Sequence, residues 1–367
     1  MITHPPAGGI AGNHAESGLP PLRIAINGYG RIGRCVLRAL YESALGDRIE
    51  VVAINEPSDL ATMAYLSQFD STHGVFPGTV EQDGDSLWVN GREIRVMHAT
   101  EPEDVDWAAL RIDLLLECSG RYSRAEQFQR FLRAGCPRLL VSHPGESADD
   151  VDYTVVYGIN QDAVPADAVV VSNASCTTNA SVPVLAALHE QYGIEHAFLT
   201  TLHSVMNDQP LIDGYHHHDL RRTRSAMQSI VPVSTGLAQG VERLLPQLRG
   251  KVQAKAIRVP ILNVSAIDLM LKLGRDVCTS SLNATLMELS RRSPGLIAYS
   301  NHPHASIDFN HNPNSVIIDG SQTRTNGEGF ANLFLWFDNE WGFANRMLDA
   351  AQAWAGKFQP AEQAAMG

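Results

Sequence analysis

The sequence predicts an α/β fold class, with an N-terminal domain built on a doubly wound parallel sheet and an α+β domain with a large mixed sheet. The 367 residues exceed the usual size of a single domain. Residues 22–175 alternate short apolar strands with helical segments, which is typical of a parallel sheet. After residue 175 the predicted strands are longer and the helices fewer, as expected for a mixed sheet.

The same change of pattern predicts the domain boundaries. Residues 1–21 are rich in Gly, Pro and His and lack the apolar run of a signal peptide, so we expect a disordered leader. Residues 22–175 are predicted to form the first domain and residues 176–339 the second. We expect the C-terminal helix within residues 340–367 to return to the first domain and complete it.

Composition restricts the possible partners. The net charge of -12 opposes non-specific binding to nucleic acid, whose phosphates it repels. No stretch approaches the roughly 18 apolar residues of a membrane helix. The odd number of cysteines, five, suits reduced thiols in a cytoplasm better than a disulfide framework. We therefore expect a cytoplasmic protein without a nucleic-acid or membrane partner.

Three adjacent histidines, at positions 216–218, lie within residues 206–228, which lack a clear period and which we interpret as a long functional loop. Adjacent side chains cannot all converge on one ion from a strand or a helix. We therefore expect a solvated loop and no metal site.

A second segment predicts covalent chemistry. Residues 172–179, Ser-Asn-Ala-Ser-Cys-Thr-Thr-Asn, place Cys176 where a loop turns into an amphipathic helix. There the helix dipole and free backbone N–H groups are expected to lower the thiol pKa and to hold a developing oxyanion. His203 ends an apolar strand 27 residues later, so a helix and a return strand can bring it to the thiol as a base. The alternatives are a packing cysteine and a hydrogen-bonded core histidine.

Three glycines, Gly28, Gly30 and Gly33, follow the apolar strand 22–27 and open a helix. In a Rossmann domain the first two let the backbone approach a pyrophosphate, and the third allows close packing of the helix on the sheet. Glu56 ends the next strand, where it can accept hydrogen bonds from ribose hydroxyls and repel a 2′-phosphate. The pattern therefore predicts NAD rather than NADP, the alternative being a structural turn with a solvated glutamate. The N–H groups expected to meet the pyrophosphate are those of Arg31 and Ile32.

The cysteine motif and the glycine turn resemble those of the glyceraldehyde-3-phosphate dehydrogenase family, and the resemblance extends from residue 22 to about residue 355. The cysteine motif is highly specific to that family, whereas the glycine turn is not. Further segments resemble its D-erythrose-4-phosphate dehydrogenase branch more closely. The family segments are 27–34, 172–179, 203, 258–260, 263–265 and 336–340, and the branch segments are 142–144, 155–160, 203–209 and 308–313.

The resemblance implies a role for each site residue. Cys176 would attack an aldehyde, and His203 would activate the thiol and assist hydride departure. Asn339 would hold the nicotinamide carboxamide, and Arg258 would bind the terminal phosphate of the substrate. The second anion position would be lined by Ser175, Thr177, Arg222, Thr235 and Gly236, and Ser119 would join the cofactor site.

The residue types agree with these roles, because arginine forks suit phosphate oxygens and a helix that begins near Gly236 attracts anions. For two arginines another interpretation stays open. Arg222 lies in a cluster of arginines and can be a surface ion-pair partner, and Arg258 can pair with an acid in a domain interface. Cys118 and Cys278 are expected to be packing residues.

Two positions depart from the glycolytic branch of the family. Met206 and Asp208 stand where that branch has threonines, so one side of the phosphate site loses hydroxyl donors and gains a charge that repels phosphate. The resemblance then implies NAD-dependent oxidation of D-erythrose 4-phosphate to 4-phosphoerythronate, an early step toward pyridoxal 5′-phosphate, by a homotetramer. The alternatives are a phosphorylating glyceraldehyde-3-phosphate dehydrogenase of glycolysis and, in another class, a redox-responsive binding protein.

Overall fold

The structure, a computed structural model, describes residues 20–216 and 219–358. Most of the predicted leader, residues 1–19, and two of the three adjacent histidines, His217 and His218, lie outside the described residues. The described part confirms the predicted fold class, with a mainly parallel nine-stranded sheet followed by a mixed seven-stranded sheet.

The first sheet is built from the N-terminal half of the chain. It contains all the strands from β1 to β11 except the small hairpin of β3 and β4. In chain order the elements are β1 (Leu22–Asn27), α1 (Arg31–Tyr41), β2 (Ile49–Asn55), α2 (Leu60–Gln68), β3 (Phe69–Asp70), β4 (Gly74–Val75), β5 (Val80–Asp83), β6 (Ser86–Val89), β7 (Arg92–Met97), β8 (Leu114–Glu117), α3 (Ala125–Arg133), β9 (Leu139–Val141), β10 (Tyr153–Thr154) and β11 (Val170–Ser172).

The order of these strands places a ligand cleft at the end of β1. The order is β10-β11-β9-β8-β1-β2-β7-β6-β5, so the chain leaves β1 toward β2 on one side and later returns to β8 on the other. Both neighbours run parallel to β1. In such a sheet, ligands bind where the strand order reverses, outside the carboxyl ends of the strands. Gly28 and Ser119 lie at this point, just beyond β1 and β8.

The second sheet has the order β13-β14-β12-β15-β18-β17-β16. Two neighbouring strands, β12 and β14, are parallel, and the register sets His203 beside Arg258 at the two strand ends. Two side chains with a predicted role are therefore neighbours because of strand pairing. The elements are α4 (Cys176–Tyr192), β12 (Ile194–His203), β13 (Val231–Val233), α5 (Leu237–Leu244), β14 (Val252–Arg258), β15 (Ser265–Leu273), α6 (Thr279–Arg292), β16 (Ile297–Ser300), β17 (Val316–Thr325), β18 (Phe330–Phe337) and α7 (Trp341–Phe358).

The last helix, α7, returns to the first sheet and packs on α1. Its buried residues, among them Met347, Leu348 and Trp354, belong to the same apolar cluster as Leu22 and Ile24 of β1. The first sheet therefore takes part of its core from the end of the described chain. No helix in the described ranges combines the length and the apolar character needed to span a bilayer.

The five cysteines are all free thiols. Cys118 is buried, as expected of a packing residue. The same expectation for Cys278 is wrong, because this side chain is exposed at the residue that precedes α6. β15 ends at Leu273, so Cys278 lies between this strand and α6, outside the sheet.

Candidate active site

Cys176 is the first residue of α4, as the sequence predicts. Ser175 caps the helix, and its hydroxyl oxygen accepts a hydrogen bond from the Thr178 backbone N–H at 3.1 Å. Just before the cap, Ala174 has φ +57°, a left-handed conformation that residues with a Cβ rarely adopt. Strain of this kind clusters at functional sites. The sharp turn from β11 into α4 thus directs the thiol into a cleft rather than into the core.

His203 lies beside the thiol. Its Nε2 is 3.7 Å from Cys176 Sγ, and its Nδ1 is 2.8 Å from the backbone oxygen of Ser204. A carbonyl can only accept, so Nδ1 carries the proton and Nε2 presents a lone pair to the thiol. The predicted pairing of thiol and base is therefore present, with the imidazole already in the tautomer that can receive the thiol proton.

Both members of this pair are neutral at pH 7. Burial raises the pKa of the Cys176 thiol to about 11, although the Thr177 backbone and the Arg258 charge favour the thiolate. Burial also lowers the pKa of His203 to about 4. The expected lowering of the thiol pKa is therefore wrong for this structure, because withdrawal of the sulfur from water outweighs the helix N-terminus. Proton transfer to His203 has to accompany attack by sulfur.

The glycine turn has the geometry of a dinucleotide cradle. Gly28 has φ +86°, and a Cβ added there would lie 2.4 Å from Ser119 Cα. A Cβ on Gly33 would lie 2.3 Å from the Gly28 carbonyl oxygen. The helix α1 begins at Arg31 with no side-chain cap and no acidic residue in its first turn, so its N–H groups are free to meet an anion. These residues fit a pyrophosphate.

Two cavities extend this cradle in opposite directions. The first, of about 240 Å³, lies against Gly28, Glu56 and Ser119. The second, of about 610 Å³, runs from Gly30, Arg31 and Ile32 to the catalytic pair. Gly30 and Ser119 line both cavities, so one continuous cleft leads from Glu56 to Cys176. An extended dinucleotide fits this shape, with its adenosine end at Glu56 and its nicotinamide end at the thiol.

Glu56 also stabilises the glycine turn, since its carboxylate accepts a hydrogen bond from the Tyr29 backbone N–H at 2.7 Å. On the other side of the cradle, the Ser119 backbone N–H donates to the buried carboxylate of Glu117 at 2.8 Å. Burial raises the pKa of Glu117 to about 7. Sequence inspection missed Glu117, although an acidic residue inside a buried apolar strand is a recognisable signal.

Asn339 lies at the nicotinamide end of the cleft, and two hydroxyls fix its orientation. Ser204 and Ser265 donate to its amide oxygen at 3.0 and 2.8 Å. The amide nitrogen is thus left as the group that can donate to a carboxamide oxygen. The serines were not assigned a role from the sequence, because they lie 135 and 74 residues away from Asn339 along the chain.

The arginines predicted to bind anions share one carboxylate. Arg222 donates to Asp208 Oδ2 at 2.8 Å, and Arg258 donates to Asp208 Oδ1 at 3.3 Å. Gln209 also accepts from Arg258, at 3.4 Å. Burial lowers the pKa of Arg258, and the Asp208 charge opposes that shift. Both arginines are therefore ion-paired, although the acid that Arg258 meets lies in the same predicted domain and not across a domain interface. Asp208 occupies the position between the guanidinium groups that an anion would take.

Of the remaining predicted residues, only Ser175 lines the cleft. Asp208 lines it as well, and the Thr177 hydroxyl lies 3.0 Å from that of Ser175. Thr235 accepts from the Leu237 backbone N–H at 3.2 Å, and Gly236 precedes α5. The predicted residues that line neither cavity are Gly33, Thr177, Arg222, Thr235, Gly236 and Arg258.

Comparison with protein families agrees with this geometry. Residues 22–125 match the model of the glyceraldehyde 3-phosphate dehydrogenase NAD binding domain, and residues 175–339 match that of the C-terminal domain of the same family. The two matches cover the glycine cradle, Cys176 and Asn339. The cofactor is therefore NAD, as predicted, and the chain belongs to the glyceraldehyde-3-phosphate dehydrogenase family of NAD-dependent oxidoreductases.

Proposed function

We propose that the protein oxidises D-erythrose 4-phosphate with NAD to 4-phosphoerythronate, through a thioester on Cys176. The observation that carries this proposal is the bridge from Asp208 to Arg222 and Arg258. A carboxylate between two guanidinium groups neutralises the charge that would otherwise attract inorganic phosphate. Water, which needs no cation, is then the favoured acceptor of the acyl group.

The geometry of the catalytic pair supports the covalent steps. As Cys176 Sγ adds to the aldehyde carbon, His203 Nε2 receives the thiol proton and passes it to the new alkoxide oxygen. His203 then takes that hydroxyl proton while hydride leaves the same carbon, and a thioester results. NAD held by the glycine cradle and Asn339 would supply the hydride acceptor. Attack by water on the thioester carbon then expels the Cys176 thiolate, which takes back the proton held by His203, and the acid loses its own proton to solvent.

We assign the binding roles on the same basis. Residues 22–175 together with α7 would hold NAD, and residues 176–339 would carry the substrate. The substrate phosphate would have to displace Asp208 from Arg258. A substrate one carbon longer than a triose holds its phosphate farther from the aldehyde and therefore extends farther toward the arginine. The second anion position would consist of Ser175, Thr177, Arg222, Thr235 and Gly236, the cofactor site of Gly28, Gly30, Arg31, Ile32, Gly33, Glu56, Ser119 and Asn339.

We also propose a homotetramer in a cytoplasm, within pyridoxal 5′-phosphate biosynthesis. Support for self-association comes from the loop after β12, which exposes Leu211, Ile212, Tyr215 and Leu220 to solvent. An apolar loop of this kind is typical of an interaction surface. Five free thiols suit a reducing compartment.

Two alternatives make different predictions. A phosphorylating glyceraldehyde-3-phosphate dehydrogenase needs open arginines for inorganic phosphate, and the Asp208 bridge argues against it. A redox-responsive binding protein would not need a base, a cofactor cleft and anion-binding groups around one thiol.

The test is product analysis with both aldehyde phosphates, each with and without inorganic phosphate. We expect NADH and 4-phosphoerythronate from D-erythrose 4-phosphate at a rate that does not depend on phosphate. A strong preference for glyceraldehyde 3-phosphate, with an absolute need for phosphate and formation of an acyl phosphate, would assign the glycolytic reaction instead. No NADH from either aldehyde would favour the binding protein.

A further inference from the structure

The last residues of three neighbouring parallel strands are joined by hydrogen bonds at the cofactor cleft. Asn27 ends β1 and lies in register with Asn55 of β2 on one side and with Glu117 of β8 on the other. Asn55 donates to the Asn27 amide oxygen at 2.8 Å, and Asn27 donates to Glu117 Oε2 at 2.5 Å. All three residues are buried. We call these three residues the strand-end row, since they follow the carboxyl edge of the first sheet.

The backbone of Ala99 fixes the direction of every hydrogen bond in the strand-end row. Its N–H donates to Asn55 Oδ1 at 3.0 Å, and its carbonyl oxygen accepts from Asn55 Nδ2 at 3.1 Å. A backbone N–H can only donate and a carbonyl can only accept, so the Asn55 amide has one possible orientation. Asn55 then donates to Asn27, whose own amide nitrogen is left to donate to Glu117. The side chain at position 117 therefore has to accept.

The other Glu117 oxygen accepts from the loop that follows β8. The Ser119 backbone N–H donates to Oε1 at 2.8 Å, and the Ser119 hydroxyl donates to the same oxygen. The hydroxyl oxygen in turn accepts from the Arg121 backbone N–H at 3.2 Å. Three donors thus converge on one side chain. An ionised carboxylate accepts from all three, whereas an amide has only one acceptor atom.

This carboxylate is buried without a cation. Burial raises the pKa of Glu117 to about 7, and the hydrogen bonds from Ser119 and Asn27 oppose that shift. Within residues 20–216 and 219–358, no guanidinium or ammonium group forms an ion pair with Glu117. Burial of an unbalanced charge costs free energy. A leucine, like the three that precede Glu117 in β8, would hold the strand in the sheet without that cost.

Both ends of the strand-end row reach the walls of the cavity of about 240 Å³ at the adenosine end of the cleft. Asn55 and Ala99 line this cavity from one side, and Ser119 lines it from the other. Ser119 also lies against the glycine turn, where a Cβ on Gly28 would be 2.4 Å from Ser119 Cα. The row therefore sets the distance between the loop after β7 and the loop after β8, which enclose this cavity together.

We propose that Glu117 is a positioning residue for NAD, which acts through Asn27 and Asn55 on one side and through Ser119 on the other. The row would hold the two loops at the separation that the adenosine half of the cofactor requires. Its effect depends on two acceptor atoms at position 117 and not on the bulk of the side chain. The proposal concerns NAD binding alone, so it holds whichever aldehyde the enzyme oxidises.

A staple that only stabilises the sheet is the other interpretation of these contacts. A staple would affect the stability of the protein without a specific effect on NAD affinity. The second sheet contains a matched pair, in which Asn332 of β18 donates to the Asp268 carboxylate of β15. Neither residue lines the cofactor cavities. This pair can therefore separate loss of stability from loss of positioning.

The experiment measures the Kd for NAD by calorimetry at about pH 8, above the pKa of Glu117. Glu117→Gln opposes an N–H to the Asn27 N–H, so NAD should bind about tenfold more weakly. Asn27→Asp opposes two carboxylates and should weaken binding by at least about tenfold. The kcat at saturating NAD should change little in either variant, because neither residue contacts the catalytic pair.

The double variant Asn27→Asp/Glu117→Gln exchanges the amide and the carboxylate, so each hydrogen bond of the row has a donor and an acceptor again. It should bind NAD within about threefold of wild type. Asn332→Asp also opposes two carboxylates, but in the second sheet. It should lower the urea midpoint of unfolding and leave the Kd for NAD unchanged.

Three results would overturn the proposal. One is wild-type NAD affinity in Glu117→Gln. Another is an equal loss of NAD affinity in Asn332→Asp, because reduced stability alone would then explain the effect. The third is a double variant that recovers neither the fold nor NAD affinity, since it retains the complementary row. Because recovery is measured in the double variant, the test is decisive even where a single variant fails to fold.

Discussion

The cofactor cradle and the phosphate side of the active site are built in opposite ways. The cradle is made of backbone, with Gly28 and Gly33 at positions where a Cβ would overlap neighbouring atoms. The phosphate side is made of long side chains, and its two arginines are paired with Asp208. The path of the chain therefore fixes the cofactor cradle, whereas the proposed phosphate position depends on competition among side chains.

A middle case lies between these regions, at the thiol itself. Strand pairing and the turn at Ala174 place Cys176 and His203, so their position depends on backbone. Their protonation depends on burial by many side chains. Changes at four sites separate the backbone contribution from that of the side chains, and their expected effects run from the largest to the smallest.

Replacement of His203 by Asn should lower kcat with NAD and D-erythrose 4-phosphate by about 10²- to 10⁴-fold, the range for loss of a general base. The KM for NAD should change little, because the cradle does not involve the imidazole. Pre-steady-state measurement of NADH formation checks this. Near-normal kcat in the variant would mean that His203 only packs beside the thiol.

Alkylation of Cys176 by iodoacetamide should be slow at neutral pH and should accelerate about tenfold per pH unit up to about pH 9, or about hundredfold in all. The sign follows from the raised thiol pKa, since the reactive thiolate forms only as pH approaches about 11. Mass spectrometry of the Cys176 peptide follows the reaction. A plateau between about pH 6 and pH 8 would show a preformed ion pair with His203 and contradict the neutral pair.

Gly28→Ala should destabilise the protein by about 3 kcal/mol and weaken NAD binding, because the new methyl group overlaps Ser119 and φ is positive. Gly30→Ala is the matched control for stability, since its φ is ordinary and no atom lies within 4 Å of the added Cβ. Urea unfolding of both variants measures the difference. Equal stability would mean that the turn yields easily and that the cradle is less rigid than its geometry indicates.

Asp208→Asn should strengthen inorganic phosphate binding by about tenfold and make the release of product respond to added phosphate, because Arg222 and Arg258 lose their shared counter-charge. The control is Asp213→Asn, which disturbs an exposed ion pair with Arg224 in the same loop. Calorimetric titration with phosphate and analysis of the product measure the effect. Unchanged phosphate affinity would remove Asp208 as the determinant of the acyl acceptor.

Local sequence patterns were sufficient for much of the fold and part of the site. The spacing of Gly28, Gly30 and Gly33 after an apolar strand predicts the cradle because turn, helix and strand are adjacent in the chain. The position of Cys176 at a helix start follows from the apolar period of α4. These features depend on neighbours in sequence.

The features that sequence inspection missed depend on distant contacts. The hydrogen bonds from Ser204 and Ser265 to Asn339 join residues from three separate segments of the chain. The Asp208 bridge depends on contact between the loop after β12 and Arg258 at the end of β14. Asp208, which was expected only to repel phosphate, therefore also neutralises both arginines. The raised thiol pKa reflects the surroundings that distant segments build around the half-buried Cys176, which no local pattern reports.

The return of α7 to the first sheet has a consequence for protein synthesis. Because Met347 and Trp354 complete the core around Leu22 and Ile24, that core cannot close until α7 has left the ribosome. The N-terminal half must therefore wait, with apolar surface unprotected, while the second sheet is translated. A nascent chain halted before α7 is expected to depend on chaperones.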